Sequence, residues 1–474
     1  MGAAKNYDLV VVGAGPGGYV GCVRAAQLGM KVACVERHPR LGGVCLNVGC
    51  IPSKALLDAS EFYHLANRRL ADYGVIAGDV RLDLARMMAR KDQVVAELTD
   101  NVRKLLESHQ VEIVHGKARL VDARTLEVAA MVDQTGAQTL RLEAGAILLA
   151  TGSEPVAIPT VPEDGVAIVG STEALNFDRV PEHLVVVGGG YIGLELGSVW
   201  RRLGARVTVV EMLPQIAGPL DGQVRRALQR LLTRQGLEFL LDTRVESAVA
   251  VDGRIRVQIR RQDQAGQLDC DRVLVAVGRR PLTRGLGLED LGVKLDPKTG
   301  QVRVDARYRT SVPSIYAVGD LVAGPMLAHK ASAEAVTAVE GIAGLAGSVN
   351  YDAIPAVIYT APEVATVGLS EDQVKERGIA HCIGTYPFSG TGRARCMGET
   401  DGFVKVIAQA RTDRLLGVHI IGPRASDMIG ECVLAMEFGA SSEDLARTAH
   451  GHPTFAEALQ EAALNVRKCS IYAS

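Results

Sequence analysis

The feature that most constrains the fold is a pattern of spaced glycines between two apolar segments, which occurs twice, 175 residues apart. In the first copy, an apolar run at residues 7–12 leads into Gly13, Gly15 and Gly18, and a helical pattern follows to residue 28. In such a turn the first glycine allows a tight bend, the second admits a pyrophosphate, and the third lets the helix pack on the strand. A single copy is weak evidence, because a glycine-rich turn can simply pack. Two copies with the same spacing predict two dinucleotide-binding units.

An acidic residue ends the second strand of each copy. Glu36 follows an apolar run at residues 31–35, and Glu211 follows the matching run at residues 206–210. A carboxylate at this position can accept hydrogen bonds from both ribose hydroxyls of an adenosine. Glu211 precedes Met-Leu-Pro rather than a basic cluster, so the second site is predicted to prefer NAD over NADP. Three nearby arginines leave NADP open as the alternative: Arg201, Arg202 and Arg206.

Two cysteines lie close together in the segment Gly-Gly-Val-Cys-Leu-Asn-Val-Gly-Cys-Ile-Pro-Ser-Lys at residues 42–54. A disulfide between Cys45 and Cys50 would close a very small loop and remove little entropy from the unfolded chain, so a structural staple explains the pair poorly. Gly49 and Pro52 predict a distorted first helical turn that brings the thiols together. Near the positive end of that helix, and beside Lys54, a thiolate is favoured. Redox chemistry is one interpretation, and two buried cysteines packing as small apolar groups are the other.

The composition excludes several classes of function. The net charge of -2 and the pI of about 6.6 provide no basic surface for nucleic acid or an anionic membrane. Nine cysteines in 474 residues are too few and too scattered for a secreted disulfide scaffold. The best candidate for an apolar membrane segment, residues 184–194, stops at Glu195. We expect a cytoplasmic protein without a metal site, or a mitochondrial matrix protein if a presequence was removed.

The length and the change of pattern along the chain predict several domains. We expect an α/β protein with two Rossmann-like dinucleotide-binding domains and a C-terminal α+β dimerisation domain. The predicted boundaries are 1–153 for the first dinucleotide-binding domain, 154–280 for the second, 281–350 for a central domain completing the first site, and 351–474 for the dimerisation domain. Apolar residues at helical spacing predict a long amphipathic helix at residues 84–106. Two further helices are expected near residues 426–438 and 455–466.

A second reactive constellation occurs near the C-terminus, at His450-Gly-His-Pro-Thr-Phe-Ala-Glu457. Thr454 and Glu457 have the spacing of a helix capping box, which would make the histidines ordinary loop residues. Alternatively, Glu457 orients His452 as a general base, as an acid orients a histidine in hydrolases. The spacing by itself favours the cap.

Taken in order, these segments resemble the FAD-dependent pyridine nucleotide-disulfide oxidoreductases across essentially the whole chain. The cysteine segment resembles the redox motif of that family, Gly324-Pro-Met-Leu-Ala-His-Lys330 its flavin-adjacent helix start, and the His450–Glu457 segment its base motif. By this resemblance the chemistry belongs to Cys45, Cys50, Lys54, Glu195, His452 and Glu457. FAD would be held by Gly13, Gly15, Gly18, Glu36, Lys54, Gly116, Thr151, Gly152, Asp320 and Ala328. NAD would be held by Gly188, Gly190, Gly193, Glu211, Val245 and Gly278, with Tyr191 covering the nicotinamide pocket.

The resemblance also implies an activity. Cys45 would be the thiol exposed to substrate, Cys50 the thiolate against the flavin, and Lys54 would pair with Glu195. The implied reaction oxidises dihydrolipoamide to lipoamide and reduces NAD+ to NADH. The implied assembly is a homodimer in which each His452 serves the other chain's disulfide. The implied partners are the lipoyl domains and acyltransferase core of 2-oxo acid dehydrogenase complexes, or the lipoyl protein of glycine cleavage.

Three other readings stay open on the sequence. A mercuric reductase would carry a vicinal cysteine pair at the C-terminus, where this chain has only Cys469. A glutathione reductase would place arginines where this chain has Glu211. A non-catalytic docking subunit would not need Cys45, Cys50 and His452 intact.

Overall fold

The computed structural model describes residues 5–130 and 139–472. Their contacts form two compact units, each assembled from three stretches of chain. The first unit contains the described residues of Met1–Leu56, Asp83–Val156 and Gly278–Val349. The second contains those of Leu57–Leu82, Ala157–Val277 and Asn350–Ser474. The finer division into four domains stays a prediction.

Helices and strands alternate along most of the described chain. The α-helices are α1 (Pro16–Gln27), α2 (Gly43–Val48), α3 (Cys50–Arg68), α4 (Leu84–Ser108), α5 (Ser171–Ala174), α6 (Tyr191–Leu203), α7 (Gly222–Arg234), α8 (Ala328–Ile342), α9 (Glu371–Glu376), α10 (Gly392–Cys396), α11 (Ala425–Glu437), α12 (Ser442–Arg447) and α13 (Glu457–Asn465). The β-strands are β1 (Lys5–Val12), β2 (Val32–Glu36), β3 (Glu112–His115), β4 (Lys117–Leu120), β5 (Thr125–Ala129), β6 (Leu140–Leu149), β7 (Ser153–Pro155), β8 (Ile168–Val169), β9 (His183–Val187), β10 (Arg206–Val210), β11 (Leu237–Leu240), β12 (Thr243–Val251), β13 (Arg254–Arg261), β14 (Gln264–Cys270), β15 (Arg272–Val275), β16 (Arg279–Pro281), β17 (Ile315–Ala317), β18 (Ala356–Ile358), β19 (Glu363–Gly368), β20 (His381–Pro387), β21 (Phe403–Gln409) and β22 (Leu415–Gly422).

The first unit is built on a seven-stranded sheet with the order β3-β2-β1-β6-β5-β4, in which β17 also pairs with β6. Strands β1, β2, β6 and β17 are parallel, and β1 is buried on both faces from Leu9 to Val12, as its apolar run predicts. Helices α1, α4 and α8 cover one face through residues such as Cys22, Val102 and Ala335. Because parallel strands end at a common edge, this sheet brings the chain after β1, β6 and β17 together.

A second parallel sheet, in the other unit, has the order β11-β10-β9-β15-β8. Gly188 follows β9, Glu211 follows β10 and Ala276 follows β15, so these three residues leave the sheet at one edge. The antiparallel sheet β12-β13-β14 shares an apolar core with this sheet, which includes Val187, Val210 and Val257. The repeat seen in the sequence is therefore a repeat of strand, glycine turn and helix in both units.

The C-terminal part of the second unit is a five-stranded antiparallel sheet with the order β18-β19-β22-β21-β20, packed against α11 and α13. These two helices lie where the sequence predicted them. The structure adds the short helices α9, α10 and α12, which the sequence analysis did not predict. Two of them begin at a serine that completes a capping box, Ser370 for α9 and Ser441 for α12. Helices of five or six residues are too short to show an apolar period.

The long helix predicted at residues 84–106 is present as α4, which spans Leu84–Ser108. The Asp83 carboxylate caps it by accepting a hydrogen bond from the backbone N–H of Arg86 at 3.0 Å. Among the residues that the structure describes, no helix is both long enough and apolar enough to span a membrane.

Candidate functional site

The first glycine turn leaves its backbone bare at the start of α1. Gly13 has a φ of +101°, and a Cβ on it would lie 2.4 Å from the carbonyl oxygen of Ala150. A Cβ on Gly18 would lie 1.8 Å from the carbonyl oxygen of Gly13. No side chain caps the N-terminus of α1 at Gly15. Free backbone N–H groups at a helix N-terminus form a site that suits a phosphate.

Glu36, the last residue of β2, binds the backbone of this turn. Its side chain is buried, and its carboxylate accepts hydrogen bonds from the backbone N–H groups of Ala14 at 2.8 Å and His38 at 2.9 Å. Gly116, between β3 and β4, donates its N–H to the carbonyl oxygen of Glu36 at 2.9 Å. The structure therefore brings Gly116 next to Glu36, as their predicted roles require.

A polar network lies at the ends of β6 and β17 in the same unit. Asp320 accepts a short hydrogen bond from the Ser153 hydroxyl. Arg279 donates from Nε to the same hydroxyl at 2.8 Å and from Nη2 to the Ser153 carbonyl oxygen at 2.7 Å. Burial lowers the pKa of Arg279, and the nearby charges of Asp320 and Cys50 oppose that change. Sequence reasoning predicted Asp320 but missed Arg279 and Ser153, whose only signal was their position in strand-end turns.

Thr151 and Gly152 follow β6 directly. The Thr151 hydroxyl donates to the carbonyl oxygen of Leu282 at 2.8 Å, and Gly152 has a φ of +73°. Ala328 is the first residue of α8. Together with the first glycine turn, these residues surround one edge of the first sheet.

The second glycine turn repeats the geometry of the first. A Cβ on Gly193 would lie 2.3 Å from the carbonyl oxygen of Gly188. The Glu211 carboxylate accepts from the backbone N–H of Gly189 at 2.7 Å and from that of Leu213 at 2.9 Å. The pattern of two backbone bonds to one acid is the same as at Glu36.

The further residues predicted for the second site are Tyr191, Val245 and Gly278. Tyr191 begins α6 and is partly buried, and this burial raises the pKa of its hydroxyl. Val245 lies in β12 beside an irregularity in its pairing with β13. Gly278 begins the last stretch of the first unit, so its part in the second site stays a prediction.

The two cysteines occupy two helices, not the single distorted turn that the sequence predicted. Helix α2 carries Cys45 and ends at Val48, and α3 begins at Cys50. Gly49 separates the helices with a φ of -138° and a ψ of -111°. A β carbon at this position would lie 3.0 Å from the carbonyl oxygen of Val44, which accounts for the glycine.

The break at Gly49 still brings the thiols into contact. A side-chain hydrogen bond with Cys50 raises the pKa of the Cys45 thiol, and burial adds to this effect. Cys45 packs at the edge of the first unit's core, whereas Cys50 is exposed, which is the reverse of the exposure that the resemblance implied. Which of the two sulfurs meets the substrate stays a prediction. Pro52 and Lys54 follow in the first turns of α3. Two adjacent thiols can form a disulfide, which can then exchange with a thiol that approaches from solvent.

Glu457 makes the contact with His452 that one alternative required and only one of the two hydrogen bonds of the capping box that the other required. Helix α13 begins at Glu457 itself, with Ala456 at its N-cap and no side-chain cap. One carboxylate oxygen contacts Nδ1 of His452 at 2.7 Å, and the other accepts from the backbone N–H of Thr454 at 2.8 Å. The Thr454 hydroxyl donates to the carbonyl oxygen of Gly451, so the reciprocal half of a capping box is missing. Burial opposes the change, but the contacts with His452 and Thr454 hold the pKa of Glu457 below its ordinary value.

His450, two residues before His452, has a different environment. Its side chain is only 5% exposed, and its ring nitrogens contact a Glu431 carboxylate oxygen at 2.8 Å and the Thr448 carbonyl oxygen at 2.9 Å. The His452 side chain is 79% exposed. Of the two histidines, His452 is therefore the one available to an incoming thiol.

Glu195 is buried in α6 and accepts a hydrogen bond from the backbone N–H of Tyr359 at 3.0 Å. Lys54 belongs to the first unit and Glu195 to the second. Their predicted pairing stays a prediction.

Comparison with known families agrees with this architecture. The family model described as pyridine nucleotide-disulphide oxidoreductase matches residues 7–335. The model of the dimerisation domain of that family matches residues 354–463. The second match supports a homodimer.

Similar proteins are found over nearly the full length. The chain is 51% identical to dihydrolipoyl dehydrogenase 3 of Pseudomonas aeruginosa, over 98% of both chains. It is 48% identical to the mitochondrial dihydrolipoyl dehydrogenase of Homo sapiens, over 96% of this chain and 90% of that protein.

Solved structures agree on the fold. LpdA from Mycobacterium tuberculosis aligns with a TM-score of 0.89 and 25% identity, over 97% of this chain and 99% of that one. The HOCl-induced flavoprotein disulfide reductase RclA from Escherichia coli aligns with a TM-score of 0.84 and 27% identity, over 96% of this chain and 99% of that one.

The chain belongs to the pyridine nucleotide-disulphide oxidoreductase family. Within that family, its relatives over nearly their full length are dihydrolipoyl dehydrogenases. The predicted fold class, the NAD-dependent oxidoreductase class and the cofactors FAD and NAD are confirmed. The glutathione reductase, mercuric reductase and docking-subunit readings are not favoured.

Proposed function

We propose that this enzyme oxidises dihydrolipoamide carried on a protein partner and reduces NAD+, with Cys45 and Cys50 as its redox pair. The observation that carries this proposal is the contact between the two thiols across the break at Gly49. One thiol is packed against the core and the other opens a helix, so they can differ in role. A pair that merely filled space would need neither the helix start nor the exposure of Cys50.

The residues present fit both dinucleotides. Side chains larger than hydrogen at Gly13 and Gly18 would collide with backbone carbonyl oxygens, so the first turn keeps its N–H groups open toward a pyrophosphate. Glu36 and Glu211 each stand at a strand end, where ribose hydroxyls would be held. The side chain of Asp320, in its network with Ser153 and Arg279, offers an acceptor for a hydroxyl-bearing chain.

The protein's residues would act in sequence on the substrate thiols. His452, oriented by Glu457, takes a proton from one thiol of dihydrolipoamide. In the oxidised enzyme, in which Sγ of Cys45 is bonded to Sγ of Cys50, the resulting thiolate attacks Sγ of Cys45 and releases Cys50 as a thiolate. His452 passes its proton to the departing Cys45 sulfur and takes the proton of the second substrate thiol, which displaces Cys45 and leaves lipoamide and a reduced cysteine pair.

FAD, when bound, would accept the electron pair from the reduced cysteines and pass it to NAD+. Lys54 and Glu195 are proposed to lie beside it as a charge pair. The net change converts dihydrolipoamide and NAD+ into lipoamide, NADH and a proton.

We further propose that each active site is shared between the two chains of a homodimer. His452 lies in the dimerisation domain, and Cys45 lies about 400 residues earlier in the chain. In this arrangement the partner subunit's His452 serves the disulfide of the first chain.

The partners of the dimer would be the lipoyl domains and acyltransferase core of a 2-oxo acid dehydrogenase complex, or the lipoyl protein of glycine cleavage. A cytoplasmic or mitochondrial matrix location is proposed on the same basis.

Mixed dimers test this proposal. Cys45→Ser and His452→Gln homodimers should each be nearly inactive with dihydrolipoamide, because each lacks one essential group in both sites. In a randomly mixed population half the dimers are mixed, and one of their two sites is intact, so roughly a quarter of the wild-type activity should return.

Electron transfer from NADH to a dye, which needs neither His452 nor the disulfide, is the control and should survive in the His452→Gln parent. If mixed dimers form and recover no lipoamide activity, the shared site is wrong. If the wild-type enzyme reduces glutathione disulfide but not lipoamide, the proposed substrate is wrong.

A further inference from the structure

Helix α8 carries two fully buried charges in the first unit. Lys330 and Glu334 have side chains that are 0% exposed, and Nζ of Lys330 lies 3.0 Å from Oε1 of Glu334. Burying an ion pair costs more solvation free energy than the mutual attraction usually returns, and apolar residues of similar volume are often as stable. The pair therefore calls for an explanation other than stability.

The position in the helix makes the pair less favourable still. Lys330 is the third residue of α8, where the positive end of the helix dipole disfavours a cation. A lysine placed four residues before a glutamate is also the weaker order for a helical ion pair. Neither helix formation nor packing accounts for these two residues.

Outside the helix, both members of the pair contact the backbone of the same glycine. Nζ of Lys330 donates to the carbonyl oxygen of Gly319 at 3.0 Å, and Oε2 of Glu334 accepts from the N–H of Gly319 at 2.7 Å. Both polar groups of one residue are thus held by one ion pair. Two apolar side chains would fill the space but could make neither bond.

Gly319 is a point at which the backbone must be held. It has a φ of +74°, and a Cβ on it would lie 3.1 Å from Cβ of Ala331 in α8. The bonds from Lys330 and Glu334 fix the peptide groups on both sides of this residue. The next residue is Asp320, whose carboxylate accepts from the Ser153 hydroxyl.

The aliphatic part of the Lys330 side chain has space because residue 324 is a glycine. Gly324 has a φ of +104°, and a Cβ on it would lie 2.9 Å from Cε of Lys330. The absence of a side chain at Gly324 thus lets the Lys330 side chain reach Gly319.

We propose that Lys330 and Glu334 are positioning residues that set the Asp320 carboxylate for the hydroxyl-bearing chain of FAD. The inference rests on the proposed function, which assigns Asp320 to the flavin. The ion pair acts through the Gly319 backbone and does not touch the cofactor. Its removal should weaken FAD binding more than it weakens the fold.

The test compares FAD affinity with stability in matched variants. Single replacements strand a buried charge and can prevent folding, so the main variant is the double replacement Lys330→Met/Glu334→Leu. FAD retained by the holoenzyme after ultrafiltration at graded dilutions gives the dissociation constant, and the urea midpoint of the FAD-free protein gives the stability. We expect FAD to bind at least about tenfold more weakly with a urea midpoint near that of the wild type.

Two further variants sharpen the result. The double replacement Lys330→Met/Glu334→Gln keeps an acceptor for the Gly319 N–H without leaving a buried charge, so it should fold and lose only a few-fold in FAD affinity. The control is the double replacement Lys104→Met/Asp100→Leu, which removes an exposed pair of the same spacing in α4. Its FAD affinity should match that of the wild type.

The outcomes separate the inference from the assignment on which it rests. If Asp320→Asn weakens FAD binding while the Lys330→Met/Glu334→Leu protein binds FAD within about twofold of the wild type, the positioning role is wrong and the flavin site stands. A loss of FAD that only parallels a fall in the urea midpoint also overturns the positioning role. If Asp320→Asn leaves FAD binding unchanged, the flavin assignment of Asp320 fails, and the inference fails with it.

Discussion

The two glycine turns have almost the same local geometry and different surroundings. Glu36 and Glu211 each accept two backbone N–H bonds, one from the glycine turn and one from the residue two positions further on, at 2.7 to 2.9 Å. The third glycine of each turn packs against the carbonyl oxygen of the first. The same short stretch of sequence has thus produced the same structure twice.

The difference lies in what other segments add. Glu36 is buried, and Gly43 of the redox segment packs so closely on Gly15 that a Cβ on Gly43 would lie 2.6 Å from its Cα. Strand β17 and α8 add the Asp320 network to the same edge. Around the second turn, Glu211 is only partly buried, and the residues after it, Met212 and Leu213, are 61% and 49% exposed.

This contrast teaches that the glycine turn supplies a phosphate site, whereas the surrounding segments decide how firmly a ligand is held. A site enclosed by three distant stretches of chain suits a cofactor that stays bound. A site with exposed walls suits one that must leave after each turnover, as NADH must.

The largest effect is expected from an alanine at the third glycine of the first turn. A Cβ at position 18 would meet the Gly13 carbonyl oxygen at 1.8 Å, so Gly18→Ala should yield protein without FAD and without activity. In the second turn, Gly193→Ala should keep its flavin absorbance and lose NAD+ reduction. The flavin content of each purified protein is the measurement. Loss of FAD from both variants would contradict the independence of the two sites.

The next largest effect is expected in the preference for NAD+ over NADP+. The 2'-phosphate of NADP+ would meet the Glu211 carboxylate, so kcat/KM for NADP+ should be lower than that for NAD+ by on the order of a hundredfold or more. Glu211→Ala should narrow the gap by raising kcat/KM for NADP+. Comparable values for both cofactors in the wild type would show that Glu211 does not read the ribose.

A smaller effect is expected from Gly190→Ala, which should weaken NAD+ binding without changing how the protein packs. A Cβ on Gly190 would have no atom of the described residues within 4 Å, so Gly190→Ala should fold with an unchanged urea midpoint. A methyl group there would stand where the pyrophosphate of NAD+ approaches, so KM for NAD+ should rise about tenfold while FAD content stays the same. An unchanged KM would mean that the pyrophosphate does not pass close to Gly190.

The smallest effect concerns the stability of the second unit as pH falls. Asp221 caps α7 and accepts two bonds from the buried Lys405 ammonium, at 3.0 and 2.9 Å. Burial opposes the change, but the nearby His419, Lys405 and the N–H of Glu371 hold the pKa of Asp221 below its ordinary value.

The sign of the pH effect follows from that lowered pKa. The contribution of Asp221 is complete above the unfolded-state pKa of about 3.9 and is lost as pH falls through the lower folded-state value. The urea midpoint of Asp221→Asn should therefore be below that of the wild type at pH 7, and the difference should shrink as pH falls below about 4. A difference that is constant with pH would contradict the role of the charge.

The sequence predicted those parts of the site whose geometry is local. The order of strand, glycine turn, helix and terminal acid is contained in about 30 consecutive residues, so it could be read twice without knowledge of the fold. The spacing of Thr454 and Glu457 likewise pointed to their contact. The pairing of Lys54 with Glu195 depends on two distant segments and stays a prediction.

What the sequence by itself determined about this protein is the pair of dinucleotide turns, the long helix α4 and the residues from which the redox pair and the base would come. Only the tertiary structure decided that Gly49 divides the cysteine segment into two helices, that Arg279 and Ser153 join Asp320, and that Lys330 and Glu334 hold Gly319. The physical reason is that hydrogen bonds between residues more than 100 positions apart, such as that of Arg279 with Ser153, follow from sheet order and strand register. Apolar periodicity specifies which face of an element is buried, but it does not specify which distant polar side chain arrives there.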